Sequence, residues 1–263
     1  MKQPIPLTPQ DVKVLMRCPL HYHFVQQKSA LPIRYTTQAE REALVRDTIQ
    51  HLHIAGGPDR LTLAQCLESV NDDPVARQMV EHYYERLKQD WPAMMAGNET
   101  MTLRISISGV LLALSGTVDR LDKTRDGGIL AILFSMDRKP LITDNDLRDD
   151  PATTIYHALV ASTYPLKRPV RIQQLWLYSN QDITVELSED EYRHNLGQLR
   201  APVKALARGE VMARPGLHCD VCPFKHRGCP VYAQETDTES ESDDFVSPPA
   251  GGKISARKWI FKI

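Results

Sequence analysis

Apolar and polar positions along this chain repeat first with a helical period, then with a strand period. Thr8 and Pro9 mark a helix start, a capping hydroxyl followed by a proline tolerated in the first turn. Val12, Leu15 and Met16 then form one apolar side, which ends at Cys18. A second helix is expected from Thr37 to about His53, with Ala43, Leu44, Thr48 and Leu52 at helical spacing, stopped by Gly56-Gly57-Pro58. Further helices are expected over 61–70 and 74–96, the latter carrying Val75, Met79, Tyr83 and Leu87 on one face. From Met101 the residues alternate, as in a half-buried strand. Val110 to Leu114 is a second run, and the Asp126-Gly127-Gly128 turn leads into the continuously apolar Ile129–Phe134. Residues 99–136 thus predict an antiparallel meander. A helix over about 152–162, a strand over 171–178 and a last helix from Ser188 to about Arg208, interrupted or kinked at Pro202, complete the body. Helices, meander, helix, strand and helix predict an α/β fold with a mixed sheet flanked by helices.

With 263 residues and 42% hydrophobic content the chain can bury one large core or two modest ones. No window approaches the roughly 18 apolar residues of a membrane span, so no membrane contact is expected. The net charge of −1 conceals an uneven distribution, because six acidic residues fall between Glu235 and Asp244. Composition divides the chain into a body over 1–232, an acidic and Pro/Gly-rich linker over 233–252, and a basic, apolar segment over 253–263 suited to docking on its own body or on a protein partner. Without the last 31 residues the body is only mildly positive, short of the excess typical of a dedicated nucleic-acid protein.

Candidate chemistry concentrates in the cysteines. Cys219, Cys222 and Cys229 lie within eleven positions, and Cys18 stands some 200 residues upstream; each of Cys18, Cys222 and Cys229 precedes a proline. Four thiolates so placed suit tetrahedral zinc or an iron–sulfur cluster, and spacing alone leaves both open. A disulfide framework is the rival, but the lack of a signal peptide points to a cytoplasmic protein with reduced thiols. Cys66, inside an apolar helical stretch, reads as a buried small hydrophobe. His51, His53 and His82 have no histidine four residues on and read as surface or core residues rather than ligands.

Asp119, in Gly116-Thr117-Val118-Asp119-Arg120-Leu121-Asp122, is the acidic residue placed to hold a divalent ion at a strand end. Together with Leu7-Thr8-Pro9, Cys18-Pro19-Leu20-His21-Tyr22 and Cys219 through Cys229-Pro230, this stretch resembles the PD-(D/E)XK nucleases of RecB and AddB type, including the iron–sulfur CRISPR adaptation nucleases. The resemblance runs to about residue 232. It implies a restriction-endonuclease-like fold whose N- and C-terminal segments are joined by a 4Fe–4S cluster on Cys18, Cys219, Cys222 and Cys229, so iron–sulfur is expected over zinc. It also implies a catalytic and metal-binding Asp119, followed on the next strand by an acid and a lysine. Here those two positions read Leu133 and Ser135. Of the family's Gln-x3-Tyr, Ala152 to Tyr156 keeps only the tyrosine, and Gln50 and His51 are the nearest matches to its early histidine.

A literal Asp137-Arg138-Lys139 follows, and Asp137 and Lys139 become catalytic candidates if the motif is displaced. Four residues of strand would carry the acid roughly 13 Å along. The expected function is therefore a degenerate, DNA-binding or assembly subunit of a DNA-processing or defence complex. The alternatives are an active RecB-like nuclease using Mg or Mn, and a zinc- or redox-stabilised interaction module. For DNA the candidates are Arg200, Lys204 and Arg208, a basic stripe on the last helix suited to a phosphate backbone, with Lys225, His226, Arg227, Lys167, Arg168 and Arg171 adding positive charge.

Overall fold

The computed structural model describes residues 3–27, 37–139, 141–226, 228–232 and 260–262. A short strand β1 (Ile5–Leu7) leads into α1 (Pro9–Arg17). Its capping box is complete: Thr8 accepts from the Asp11 amide, and the Asp11 carboxylate accepts from the Thr8 amide. Cys18 then takes an extended conformation that closes α1 and opens α2 (Pro19–Gln26), with Pro19 in the first turn. Next come α3 (Thr37–Ile54), α4 (Leu63–Glu68) and α5 (Pro74–Asp90). The last of these begins where Asp73 accepts from the amides of Val75 and Ala76.

Three strands follow in antiparallel succession, β2 (Met94–Ile107), β3 (Val110–Lys123) and β4 (Ile129–Ser135). The helix expected over 74–96 ends at Asp90, and its last residues belong to β2. The short α6 (Asp144–Arg148) and then α7 (Pro151–Thr163) carry the chain over to β5 (Val170–Trp176), which runs parallel to β4, and β6 (Gln181–Glu186) returns antiparallel. Both β1 and β6 add to what periodicity predicted. The helix expected over 188–208 is two helices, α8 (Glu189–Gln198) and α9 (Arg200–Ala207). The break falls at Leu199, three residues before Pro202, whose missing N–H is harmless in the first turn of α9.

β3 is the hub of the six-stranded mixed sheet. One edge pairs with β2 throughout; the other carries β1, parallel at Leu112–Leu114, and then β4, antiparallel at Arg120–Lys123. Helices cover both faces, which explains the unbroken apolar run of β4. Ile129, Ala131 and Leu133 pack in the core beneath α1, α7 and α9, whereas Ile132 and Phe134 pack in the core beneath α3, α4 and α5. Of the docking segment at 253–263, the described part is β8 (Ile260–Lys262), paired antiparallel with β7 (Glu210–Met212) of the same chain. The linker at 233–252 lies outside the described residues.

Candidate functional site

Alternation along β3 separates its charged residues. Asp119 lies with Leu133 and Tyr156 of α7 in the wall of one groove, while Arg120 and Asp122 are buried, Arg120 donating to the carbonyl of Asp90 at the end of α5. Both oxygens of Asp119 are engaged. Oδ2 accepts from the Phe134 amide at 2.7 Å, and Oδ1 is ion-paired with Nη1 of Arg46 from α3, whose Nη2 donates to the Phe134 carbonyl at 3.3 Å. Burial raises the Asp119 carboxyl above the usual carboxylate range, opposed by the guanidinium and the Phe134 amide. The β3–β4 ladder ends at Arg120–Ile132, and Leu133, the next residue of β4, lines the same groove as Asp119. An apolar side chain thus stands at the position expected for the second carboxylate.

The groove has a volume of about 620 Å³ and is lined mainly by neutral polar side chains, among them Gln10, Thr100, Thr117, Tyr156 and Gln174. Burial first, and the Asp119 carboxylate second, raise the Tyr156 phenol. Asp150, the other carboxylate lining the groove, caps α7 through Oδ1, which accepts from Ala152 at 2.9 Å, and its Oδ2 is ion-paired with Lys13 of α1. On the α3 side a recess of about 180 Å³ brings Gln50 and His53 to Asp119, one and two turns beyond Arg46. His53 Nε2 lies 2.6 Å from the Tyr83 hydroxyl, and burial, reinforced by Arg120, lowers its pKa to about 4, so the ring is neutral at pH 7. The histidine that reaches the site is therefore His53, while His51 is exposed. Arg46 went unnoticed in the sequence, where only its i, i+4, i+7 alignment with Gln50 and His53 could have pointed to it.

Asp137 and Lys139 do not line this groove. Both lie past the end of β4: Asp137 is exposed and accepts from Gln38 at 3.1 Å, and the Lys139 ammonium lies 5.8 Å from the Trp176 ring centroid. Arg200, Lys204 and Arg208 are exposed on or just after α9. Arg200 approaches Ser106 and Ser108 at the β2–β3 hairpin, and the nine steps along β3 from Val110 to Asp119 span on the order of 30 Å. The stripe and the Asp119 groove are separate surfaces. Arg208 reaches Glu210 only at 3.8 Å, whereas Arg171 is paired with Asp126 and Glu186, and Lys225 with Asp220. Those last two add little free positive charge.

The four expected cysteines do converge. Cys18, Cys219 in a 3-10 turn (Leu217–Val221), Cys222 and Cys229 line one cavity together with Leu20, Phe24 and Phe224. Phe224 packs against Phe24 at 5.1 Å and edge-on to His21 at 5.3 Å, and Arg214 donates to the Met16 carbonyl at 2.8 Å, so the two ends of the body clasp each other around the thiols. Burial pushes the Cys229 thiol up, and the proximity of the other three adds to the shift. Among the described residues no three His, Cys, Asp or Glu side chains are gathered closely enough to hold a single ion. Cys66 is buried in α4, away from this cavity.

The profile of the PD-(D/E)XK nuclease superfamily matches residues 6–230. No curated protein matches the sequence. Among solved structures the chain is similar to SSO0001, at 14% identity and a TM-score of 0.47 over 88% of this chain and 89% of that one. It is also similar to a putative exonuclease from Eubacterium rectale, at 11% identity and a TM-score of 0.44 over 76% and 79%. No described helix is long and apolar enough to cross a membrane.

Proposed function

The chain belongs to the PD-(D/E)XK nuclease superfamily, and from that premise we propose that it is a nuclease-inactive member carrying a 4Fe–4S cluster, which binds DNA or serves as an assembly subunit of a DNA-processing or defence complex. The observation that carries the loss of activity is the pairing of Asp119 with Arg46 in a groove where Leu133 stands at the expected second acid. Hydrolysis in this fold needs a divalent ion fixed against the scissile phosphate, and a hard cation needs several anionic oxygens to stay there. Leu133 supplies none, and Ser135 supplies no cation for the transition state. An oriented charge of that kind is worth on the order of 3 kcal/mol, about a hundredfold in rate.

Cys18, Cys219, Cys222 and Cys229 would hold the cluster, which would supply a covalent tie between the two ends of the body. Its support is the chemistry of the donors. Four thiols lining one largely apolar cavity are a donor set that suits an iron–sulfur cluster. Arg200, Lys204 and Arg208 are the proposed contacts to the DNA backbone, and the segment from residue 253 a proposed protein contact.

The test is cleavage of single- and double-stranded DNA with Mg or Mn by wild type, Asp119→Ala and Leu133→Asp/Ser135→Lys. Wild type is expected to be inert. Metal-dependent cleavage that disappears in Asp119→Ala would overturn the reading, and its loss in Lys139→Ala as well would point to Asp137-Arg138-Lys139 as a displaced motif.

A further inference from the structure

We infer that the Asp119 groove is a metal-independent phosphate site for single-stranded nucleic acid, in which the Arg46 guanidinium stands where a divalent ion would otherwise sit. The inference rests on the DNA-binding reading above and adds a contact on a different surface.

Every carboxylate oxygen that lines the groove already has a partner. Asp119 gives Oδ1 to Arg46 and Oδ2 to the Phe134 amide; Asp150 gives Oδ2 to Lys13 and Oδ1 to the Ala152 amide. A divalent ion would have to share each acid with the protein cation already paired to it, and among the described residues these two acids are the only ones lining the groove. Arg46 is differently placed. Its contacts to Asp119 and to the Phe134 carbonyl use two of the guanidinium's five N–H groups. Those two anchors fix its plane, while 44% of the side chain remains exposed to groove and recess. A planar fork held on one side and open on the other is suited to a phosphate oxygen pair.

Size and lining narrow the ligand. A groove of about 620 Å³ is of small-ligand scale, room for one or two nucleotides of a single strand and too small for a duplex. Half-buried Tyr156 brings an aromatic side chain to the groove wall near Asp119, and Gln10, Thr100 and Thr117 bring neutral hydrogen-bonding groups. Because Arg46, Lys13, Asp119 and Asp150 sum to zero charge, recognition depends on oriented donors rather than a broad positive field, and the salt dependence contributed by this site is that of about one phosphate.

The test is fluorescence anisotropy with a short labelled oligothymidine at low salt, in EDTA and in Mn. Wild-type affinity should agree within about twofold in the two conditions. Arg46→Gln should weaken binding about tenfold, and Arg46→Lys, which keeps the charge but not the fork, should recover part of it. Asp119→Asn separates the mechanisms by sign: it releases the guanidinium and should leave binding equal or tighter, whereas a metal-held phosphate would be lost. Binding that EDTA abolishes and Mn restores overturns the inference. If Arg46→Gln is without effect while Arg200→Gln/Lys204→Gln/Arg208→Gln abolishes binding, the inference falls and the DNA-binding reading stands. No binding by wild type overturns both. Thermal melts of each variant identify any that do not fold, and Asp119→Asn, with the smallest change in shape, keeps the comparison decisive if Arg46→Gln fails.

Discussion

Arg120→Met should be among the most damaging single substitutions in the sheet, because it strands a buried charge. Arg120 is 1% exposed and Asp122 5% exposed, and the guanidinium meets both carboxylate oxygens through Nε and Nη2 at 2.6 Å each. Nη2 also donates to the Asp90 carbonyl at 3.2 Å, tying the end of α5 to β3 one residue from Asp119. Methionine fills similar space but leaves Asp122 without a counter-ion, which in a buried pair costs about 3–5 kcal/mol. At roughly 2–4 °C per kcal/mol for a body of this size, the melting temperature should fall by about 6–20 °C. Burial already raises the Asp122 carboxyl against the pull of Arg120, and without Arg120 it rises further. An acid whose folded pKa exceeds its unfolded value destabilises fully above the folded pKa and not at all below the unfolded one, about 3.9. The deficit should therefore shrink as pH falls from 7.5 toward 5, and relief of His53, whose pKa Arg120 helps to lower, acts in the same direction. Urea unfolding at the two pH values measures this. The double variant Arg120→Met/Asp122→Leu should regain most of the loss, since removing both charges leaves neither unpaired. A deficit below about 1 kcal/mol, one indifferent to pH, or a double variant as weak as the single would refute the reasoning.

Protein purified without oxygen should be brown, and alanine at Cys18, Cys219, Cys222 or Cys229 should remove iron and lower the melting temperature together; colourless protein with stoichiometric zinc contradicts the cluster. Neutralising Arg200, Lys204 and Arg208 should flatten the dependence of DNA affinity on salt, read from anisotropy titrations at several salt concentrations, and an unchanged slope excludes the stripe as a DNA contact. His53 is held neutral with a pKa of about 4, so its contribution to stability is complete above about pH 6.5 and is lost as pH falls through 4, about 3 kcal/mol in all. His53→Asn should reduce that decline, and an identical pH profile in the variant would show that other groups cause it.

Where local chemistry and tertiary packing agree, the sequence was readable. Thr8 and Pro9 start α1 as expected, the Asp126-Gly127-Gly128 turn joins β3 to β4, and the apolar run at Ile129–Phe134 is a strand covered on both faces. The break at Leu199 was displaced because Pro202 was expected to interrupt a helix that in fact restarts just before it. β6 escaped because only Ile183 and Val185 face a core, the rest of an edge strand being polar. β1 is three residues long and is held by pairing with β3 more than a hundred positions away, which no local pattern signals. The cysteine convergence followed from ligand chemistry and a family pattern. The Arg46–Asp119 pair did not, because it joins residues 73 positions apart, and an arginine on a helix reads as solvated until the strand beneath it is known.

Helix α1 links the two sites: Thr8, Pro9, Gln10 and Lys13 line the groove, and Cys18 at its far end enters the thiol cavity, about 14 Å along the axis. In order of synthesis this strut precedes each of the contacts that fix it. Its preceding strand pairs with Leu112–Leu114, Lys13 meets Asp150, and Cys18 meets three thiols that follow residue 218. On the ribosome the near wall of the groove therefore gains its partners in turn, from the sheet, then from Asp150, and from the thiols last. A chain truncated before Cys219 would keep the anchors at β3 and Asp150 but leave Cys18 without the three thiols it meets at the other end of α1.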